Sequence, residues 1–134
     1  MMKGRWLRGL VLGLMPLVPE AMSAPVPARL DPDGVQRLEV VGGSYFFRPD
    51  HIVVKAGVPV ELTVSREPGL VPHSLVIWSP RMGIDVEVTL NSLGRVIRFT
   101  PESTGQTPFY CREKLLFFAG HRARGMAGIM EVVE

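Results

Sequence analysis

The chain contains 134 residues, enough for one domain. Hydrophobic residues make up 46% and charged residues 21%, so the chain can bury a core and is not disordered throughout. The formal net charge of +2 gives no reason to expect nucleic-acid binding. A single cysteine excludes an intramolecular disulfide framework and any metal site that needs two thiolates from one chain.

The first 23 residues show the order of charge, apolar run and small residues that is typical of a secretory signal peptide. The basic residues at the start are Lys3, Arg5 and Arg8. The apolar run over 9–18 is about ten residues long, too short to span roughly 30 Å of hydrocarbon as a helix. Small residues at Ala21 and Ser23 predict cleavage after Ser23. We therefore expect a periplasmic or secreted protein, or a membrane-anchored one if the signal peptide is not cleaved.

The segment that follows the signal peptide, 24–34, is rich in proline and predicts an extended linker. Residues 35–134 would then form the folded domain. Cleavage would remove three of the 15 basic and one of the 13 acidic residues, so the mature chain would be formally neutral.

From residue 35 onward, short runs of alternating apolar and polar residues are separated by glycines. Val60, Leu62 and Val64, for example, alternate with polar residues as in a half-buried strand. The pattern predicts strands at 35–41, 44–47, 52–55, 58–64, 74–78, 85–90, 95–100, 108–112 and 128–133. Many short strands with no long amphipathic helix predict an all-β sandwich or barrel.

Four residues that can bind a metal ion lie at the ends of predicted strands or in the loop between two of them. Cys111 closes one strand, His121 lies in the following loop, and Met126 stands just before the last strand. His73 opens an earlier strand after a proline-containing turn. One thiolate, two imidazoles and one thioether match a trigonal His₂Cys copper site with a weak axial methionine. Such a set suits both Cu(I) and Cu(II), as one-electron transfer requires.

Each of these residues also has an ordinary structural explanation. Cys111 alone could be an inert buried thiol. Likewise, the two histidines could end a strand or lie on a surface loop, and Met126 could fill the core. His51 is interpreted as a surface residue without an obvious partner, while Met82 and Met130 are weaker candidates for the thioether ligand. Tyr45, Phe46 and Phe47 are interpreted as core and strand-packing residues.

Residues 40–134 resemble the cupredoxins, the small blue-copper proteins. The resemblance rests on the segments FFRPDHIVVKAGVPVELTV, VPHSLVI, RFTPESTGQTPFYC and HRARGMAGIMEVVE. It implies a Greek-key sandwich that binds one copper ion through His73, Cys111 and His121 in the plane and Met126 as the axial ligand. Nine residues separate Cys111 from His121, whereas many electron carriers of the family have two to four. Ser74 stands where the family often has asparagine, which implies a shorter brace beside the thiolate.

The long loop between Cys111 and His121 contains an apolar run with basic neighbours. The run consists of Leu115, Leu116, Phe117 and Phe118, and the neighbours are Arg112, Lys114, Arg122 and Arg124. One interpretation is a docking patch whose basic rim steers an acidic partner. The alternative is a cap over the core with an ordinary solvated edge.

Together these features predict an exported mononuclear copper protein that transfers single electrons between redox partners such as a cytochrome or an oxidase complex. In this interpretation the protein is not itself an enzyme. One alternative is a copper-binding or delivery protein. Another is a subunit of a larger copper oxidoreductase, but a second copper site would need more histidines, and only His51 remains.

Overall fold

The computed structural model describes residues 13–14, 16, 23–114, 120–122 and 125–134. The predicted signal peptide lies almost entirely outside these residues. The strands of the described part are β1 (Val26–Pro27), β2 (Arg29–Leu30), β3 (Gln36–Gly43), β4 (Phe46–Arg48), β5 (His51–Lys55), β6 (Val60–Arg66), β7 (Ser74–Ser79), β8 (Ile84–Thr89), β9 (Arg95–Phe99), β10 (Gly105–Tyr110) and β11 (Ala127–Val133). A 3₁₀ turn at Pro80–Met82 joins β7 to β8. Within this part of the chain, no helix is long and apolar enough to cross a membrane.

The strands form two sheets that enclose one core. The larger sheet has the order β1-β5-β11-β10-β7-β8, and the smaller has the order β2-β3-β6-β9 with β4 beside β3. The pairs β5–β11 and β3–β6 are parallel, while β10 is antiparallel to both of its neighbours. The architecture is an all-β sandwich, which confirms the predicted fold class.

Alternation along the strands decides which side chains enter the core. In β6, Val60, Leu62 and Val64 are buried, and the residues between them face outward. Burying an aliphatic side chain of this size contributes roughly 1.5–3 kcal/mol. The rings of Phe47 and Phe109 meet at 5.3 Å between centroids and join the two sheets. The core is therefore built by the period-two pattern that the sequence displays.

The nine predicted strands correspond to β3–β11, with one boundary that differs clearly. The strand predicted at 108–112 is observed as Gly105–Tyr110. Its first half pairs with β11 as far as Val132, although glycine and proline are uncommon in strands. Just after the strand, the N–H of Arg112 donates to the side-chain hydroxyl of Ser74 at 3.1 Å instead of to a backbone carbonyl of a neighbouring strand. Cys111 consequently follows the strand instead of lying inside it.

Segment 24–34, predicted to be an extended linker, contains two short strands that join the sandwich. β1 runs parallel to β5, with Val26 opposite Ile52, and the N–H of Ala28 donates to the carbonyl of Val53 at 2.8 Å. β2 pairs with the start of β3. An edge strand offers unpaired backbone groups, and an extended segment can pair there even when it contains proline. The segment is thus attached to both sheets.

One end of the sandwich, which we call the site end, gathers the segments that matter below. It is formed by the turn after Gly43, the loop from Arg66 to His73, and the described residues between Cys111 and Met126, namely 111–114, 120–122 and 125–126. Backbone hydrogen bonds connect these segments: Glu67 donates to Gly42 at 2.8 Å, and Cys111 donates to Met126 at 3.1 Å. The hairpin between β2 and β3 lies at the opposite end.

Candidate metal centre

Three side chains with metal-binding atoms converge at the site end. The Nδ1 atoms of His73 and His121 are 3.3 Å apart, and the Sγ atom of Cys111 is 3.5 Å from Nδ1 of His121. One ligand atom from each residue lies within 4.8 Å of the others. All three residues are buried, Cys111 completely. The structure therefore brings together three of the four residues predicted to bind metal and shows a group that could hold one ion.

Two neighbouring strands bring His73 and Cys111 together. His73 directly precedes β7 and Cys111 directly follows β10; the two strands pair antiparallel, with Tyr110 opposite Val76. His121 comes from the long loop, where its N–H donates to the carbonyl of Glu113 at 2.8 Å. The pairing of β7 with β10 brings together His73 and Cys111, which are 38 positions apart, and local sequence does not show this pairing.

Ser74 holds the thiol of Cys111 from the side of β7. Its backbone N–H donates to the Sγ atom at 3.4 Å, and its hydroxyl lies 3.9 Å from the same sulfur. The hydroxyl also accepts the N–H of Arg112. A negatively charged thiolate can accept a hydrogen bond from an N–H that is directed at its sulfur. Ser74 thus forms the short brace that the sequence predicted.

Met126 is fully buried and joined through its backbone to both neighbouring site residues. Its N–H donates to the carbonyl of His121 at 2.9 Å, and its carbonyl accepts the N–H of Cys111. Its methyl group lies at the end of β3, where a β-carbon added to Gly42 would stand 3.1 Å from it. The absence of a side chain at Gly42 therefore leaves room for the methyl group of Met126 and for a methyl group of Leu90.

Burial is the main electrostatic influence on His73. It lowers the pKa of this imidazole below its ordinary value, and the positive charge that His121 can carry lowers the pKa further. A lowered pKa keeps the ring neutral near pH 7. A neutral imidazole nitrogen has the lone pair that a metal ion needs.

The donor atoms have the spacing and chemistry that a metal ion requires. With metal–nitrogen bonds of about 2.0 Å and metal–sulfur bonds of about 2.3 Å, three ligands in one plane lie roughly 3.5 Å apart. The observed separations of 3.3 and 3.5 Å agree with this spacing. A thiolate with two imidazoles suits copper or zinc and does not suit calcium or magnesium. The residues therefore fit the ion that the sequence implied.

The other candidate ligands lie elsewhere. Met130 faces the core from the middle of β11, and Met82 packs against Gly105 at the far end of β10 from Cys111. His51, interpreted as a surface residue without a partner, has one: its Nε2 atom is 3.2 Å from a carboxylate oxygen of Glu131. The pairing of β5 with β11 creates this contact between two residues that are 80 positions apart in the sequence.

Sequence analysis missed one residue of the site. Tyr45, interpreted as a core residue, stands against His121 with ring centroids 5.1 Å apart and planes at 87°. Its backbone has a φ of 63°, in the left-handed region. Neither the contact nor the φ value can be read from the sequence GGSY, because both depend on how the turn after β3 meets the long loop.

The predicted docking patch, 115–118, and Arg124 of its rim lie outside the described residues. Among the rim residues that are described, Arg112 forms an ion pair with Glu87 as well as a longer one with Glu113. The guanidinium of Arg122 lies 4.0 Å from the ring centroid of Tyr110. The described rim therefore also contains two acidic side chains, Glu113 and Glu87, the second of which is brought there by the pairing of β7 with β8.

The chain was compared with known proteins. No protein-family profile and no curated protein matches it. Among solved structures, it is similar to the metal binding domain of the Cu(I) exporting P-type ATPase CopA from Streptococcus pneumoniae, with 26% identity and a TM-score of 0.60 over 85% of this chain and 100% of that one. Auracyanin from Roseiflexus castenholzii matches with 17% identity and a TM-score of 0.59 over 73% and 97% of the two chains.

A third similar structure is the periplasmic domain of cytochrome oxidase subunit II from Bradyrhizobium japonicum, with 15% identity and a TM-score of 0.55 over 73% of this chain and 83% of that one. The β-sandwich agrees with the folds of these structures. The chain has the cupredoxin fold. The candidate metal centre lies where β7 begins and β10 ends. The shared fold and the His-Cys-His grouping confirm the predicted resemblance to the cupredoxins.

Proposed function

We propose that this cupredoxin binds one copper ion through His73, Cys111 and His121, with Met126 as a weak axial ligand, and carries single electrons outside the cytoplasm. The observation that carries the proposal is the convergence of one thiol and two imidazoles in a buried pocket. Nδ1 of His121 lies 3.3 Å from Nδ1 of His73 and 3.5 Å from Sγ of Cys111, and one ligand atom from each residue lies within 4.8 Å of the others. The similar CopA domain, which is described with Cu(I), supports copper as the ion.

Copper, when bound, would alternate between Cu(I) and Cu(II) and so accept and donate one electron. The chain's part is to hold a ligand set that both states accept. Backbone hydrogen bonds fix Cys111 and His121 to Met126, and Ser74 fixes the thiol. Because the ligands are held from several directions, they would move little when the charge changes. Burial of the ligands would exclude water from the ion.

The surface beside His73 supports a role in exchange with a partner protein. His73 is 7% exposed, so it is the least buried of the three converging residues. The loop that leads to it carries Leu70, which is fully exposed, and Val71, which is 39% exposed. Apolar side chains next to a nearly buried imidazole provide a place where a redox partner could approach within a short distance.

Copper delivery is the second candidate, and a specific observation favours it. Two of the most similar structures are a metal binding domain of a copper exporter and a copper binding protein solved in the apo form. Against delivery, a fully buried thiol in a hydrogen-bonded pocket would release its ion slowly. The likeness to the oxidase subunit domain shows the fold alone, and with a single cysteine this chain cannot supply a copper centre bridged by two thiolates.

Spectroscopy of the Cu(II)-loaded protein tests the ligand assignment. We expect an intense visible charge-transfer band at one copper per chain. Cys111→Ser should abolish this band, since Cys111 is the only residue that can supply a thiolate. His51→Ala is the matched histidine control, because His51 pairs with Glu131 away from the centre. A strong band that survives in Cys111→Ser would refute the site.

Two further measurements distinguish carrier from delivery protein. A carrier should show a reversible one-electron wave in voltammetry and should lose Cu(I) slowly to a chelator. A delivery protein should transfer Cu(I) quickly and show no reversible wave. Export is tested separately, by N-terminal sequencing of protein recovered from the periplasmic fraction, where we expect Ala24 as the first residue.

A further inference from the structure

Tyr45 adopts a backbone conformation that a bulky residue seldom adopts. Its φ of 63° places it in the left-handed region, and among the described residues no other non-glycine residue has a positive φ. Such a conformation is unfavourable for a tyrosine, so the surrounding structure must stabilise it. Unusual backbone conformations of this kind concentrate at functional sites. The position of the Tyr45 ring shows what the conformation achieves here.

The ring of Tyr45 meets the imidazole of His121 in a near-perpendicular arrangement, with 5.1 Å between centroids and 87° between planes. This geometry is one that aromatic pairs prefer. The ring of His73 also lies near His121, with 5.0 Å between the ring centroids and 53° between the ring planes. The imidazole of His121 therefore contacts both a second candidate ligand and an aromatic ring that is not a ligand.

The turn that carries Tyr45 is itself fixed against the loop that carries His121. A β-carbon on Gly125 would stand 4.0 Å from the carbonyl oxygen of Tyr45, so the two backbones lie close together. Three residues earlier, Gly42 leaves the space that the methyl group of Met126 fills. Gly42 near the end of β3 and Tyr45 in the turn after it thus contact Met126 and His121, respectively.

We propose that Tyr45 is a positioning residue that fixes the orientation of the His121 imidazole. The inference rests on the proposed copper site, because the functional consequence is a fixed direction for the Nδ1 lone pair of His121. The backbone hydrogen bonds of His121 to Glu113 and Met126 place its main chain but leave the ring free to turn. The perpendicular ring of Tyr45 restricts that rotation, as hydrogen-bonded neighbours do for histidine ligands in general.

Two variants of Tyr45 and one control separate positioning from general stability. Tyr45→Phe keeps the ring, and Tyr45→Leu keeps most of the apolar volume without a ring. Phe46→Leu removes the neighbouring ring at the start of β4, which packs against Gly43 and lies under the guanidinium of Arg48. Each protein is measured for the charge-transfer band and reduction potential with copper, and for the melting temperature without metal.

We expect Tyr45→Phe and Phe46→Leu to retain the band and potential of the parent protein. Tyr45→Leu should broaden the band and change the relative affinity for Cu(I) and Cu(II) by at least threefold, which corresponds to about 30 mV for one electron. The proposal is overturned if Tyr45→Leu leaves both properties unchanged, if Tyr45→Phe alters them as strongly, or if Phe46→Leu has the same effect.

A measurement without metal keeps the test separate from the copper proposal. In the metal-free protein, NMR contacts between ring protons of residue 45 and His121 report the orientation of the imidazole. We expect these contacts in the parent and in Tyr45→Phe, and a changed imidazole orientation relative to His73 in Tyr45→Leu. If the parent shows no copper band, the proposed function fails, while this readout still decides on Tyr45. An unchanged orientation in Tyr45→Leu would refute the positioning role.

Discussion

At the scale of single residues, the site combines a fixed thiol with a buried thioether. Ser74 directs its N–H at the sulfur of Cys111, while the backbone of Met126 is bonded to both Cys111 and His121. The proposed axial ligand therefore comes from a position that is set by main-chain hydrogen bonds. Its side chain can be changed without moving the residues beside it.

Replacing Met126 by leucine should alter the redox property and spare the fold. Leucine has a similar volume, so we expect a loss of less than about 1.5 kcal/mol in the free energy of unfolding. A hydrocarbon in place of a weak axial thioether favours Cu(I). We expect the potential to rise by on the order of 59 mV, a tenfold change in relative affinity. Voltammetry and thermal unfolding of the variant measure these quantities.

The contradicting results for this variant are also informative. Complete loss of copper would show that the thioether is a strong ligand. An unchanged potential would remove Met126 from the ligand set. Met130→Leu is the matched control, since Met130 is equally buried in β11 and faces the core.

At the scale of elements, a charged network joins strands at the end opposite the site. Arg37 of β3 donates to Asp31 and Asp33 of the preceding turn, and to Glu61 of β6. Hydrogen bonds from Arg29 and then from Arg37 lower the pKa of Asp31 from 3.8 to about 2. The network therefore connects β2, β3 and β6 through charges that are partly shielded from solvent.

The lowered pKa of Asp31 predicts how acid affects this end of the sandwich. A carboxyl with a lower pKa in the folded state stabilises the protein above pH 4, and this contribution is lost as the pH falls from about 4 toward 2. Asp31→Asn should therefore be less stable than the parent at pH 7 and equal to it near pH 2. Denaturant unfolding of the metal-free protein at several pH values measures the difference.

Glu39→Gln is the control for that experiment. Glu39 lies on the outer face of β3, the strand that carries Arg37, and its side chain is exposed. This variant should follow the parent at every pH. A constant difference between Asp31→Asn and the parent down to pH 2 would contradict the assignment, because it would show that the effect does not depend on ionisation of Asp31.

At the scale of the whole molecule, the two ends of the sandwich differ in chemistry. The site end combines the buried centre with exposed Leu70 and Val71, whereas the opposite end carries the ion pairs of Arg37. Because β3 and β6 run parallel from one end to the other, this separation follows from the topology. The proposed electron exchange through the site end is therefore compatible with a structural role for the opposite end.

The difference between the two ends predicts which exposed leucine affects the rate of electron exchange with a redox partner. Leu70→Ser should slow electron exchange with cytochrome c by roughly threefold or more, since it weakens an apolar contact beside His73. Leu30→Ser is the matched control, because Leu30 is also exposed but lies on β2 at the other end. Stopped-flow rates with cytochrome c and with ascorbate measure the effect. Equal slowing with ascorbate, or by Leu30→Ser, would contradict docking at the site end.

The sequence by itself determined the fold class, the order of β3–β11 and the residues able to bind metal. Strand alternation reports which face is buried, and this information is local, as in Val60, Leu62 and Val64. The single cysteine limits the chain to metal sites that need one thiolate. Donor types also follow from residue identity, so the convergence of His73, Cys111 and His121 could be predicted from strand ends and the family resemblance.

Only the tertiary structure decided which groups touch across strands and loops. The strands β1 and β2 form because edge backbone groups offer partners to a segment whose composition predicts a linker. The pairing of His51 with Glu131 and the contact of Tyr45 with His121 join residues that are about 80 positions apart. Local patterns record neither sheet register nor a left-handed turn, because both arise when distant segments pack and satisfy their backbone groups together.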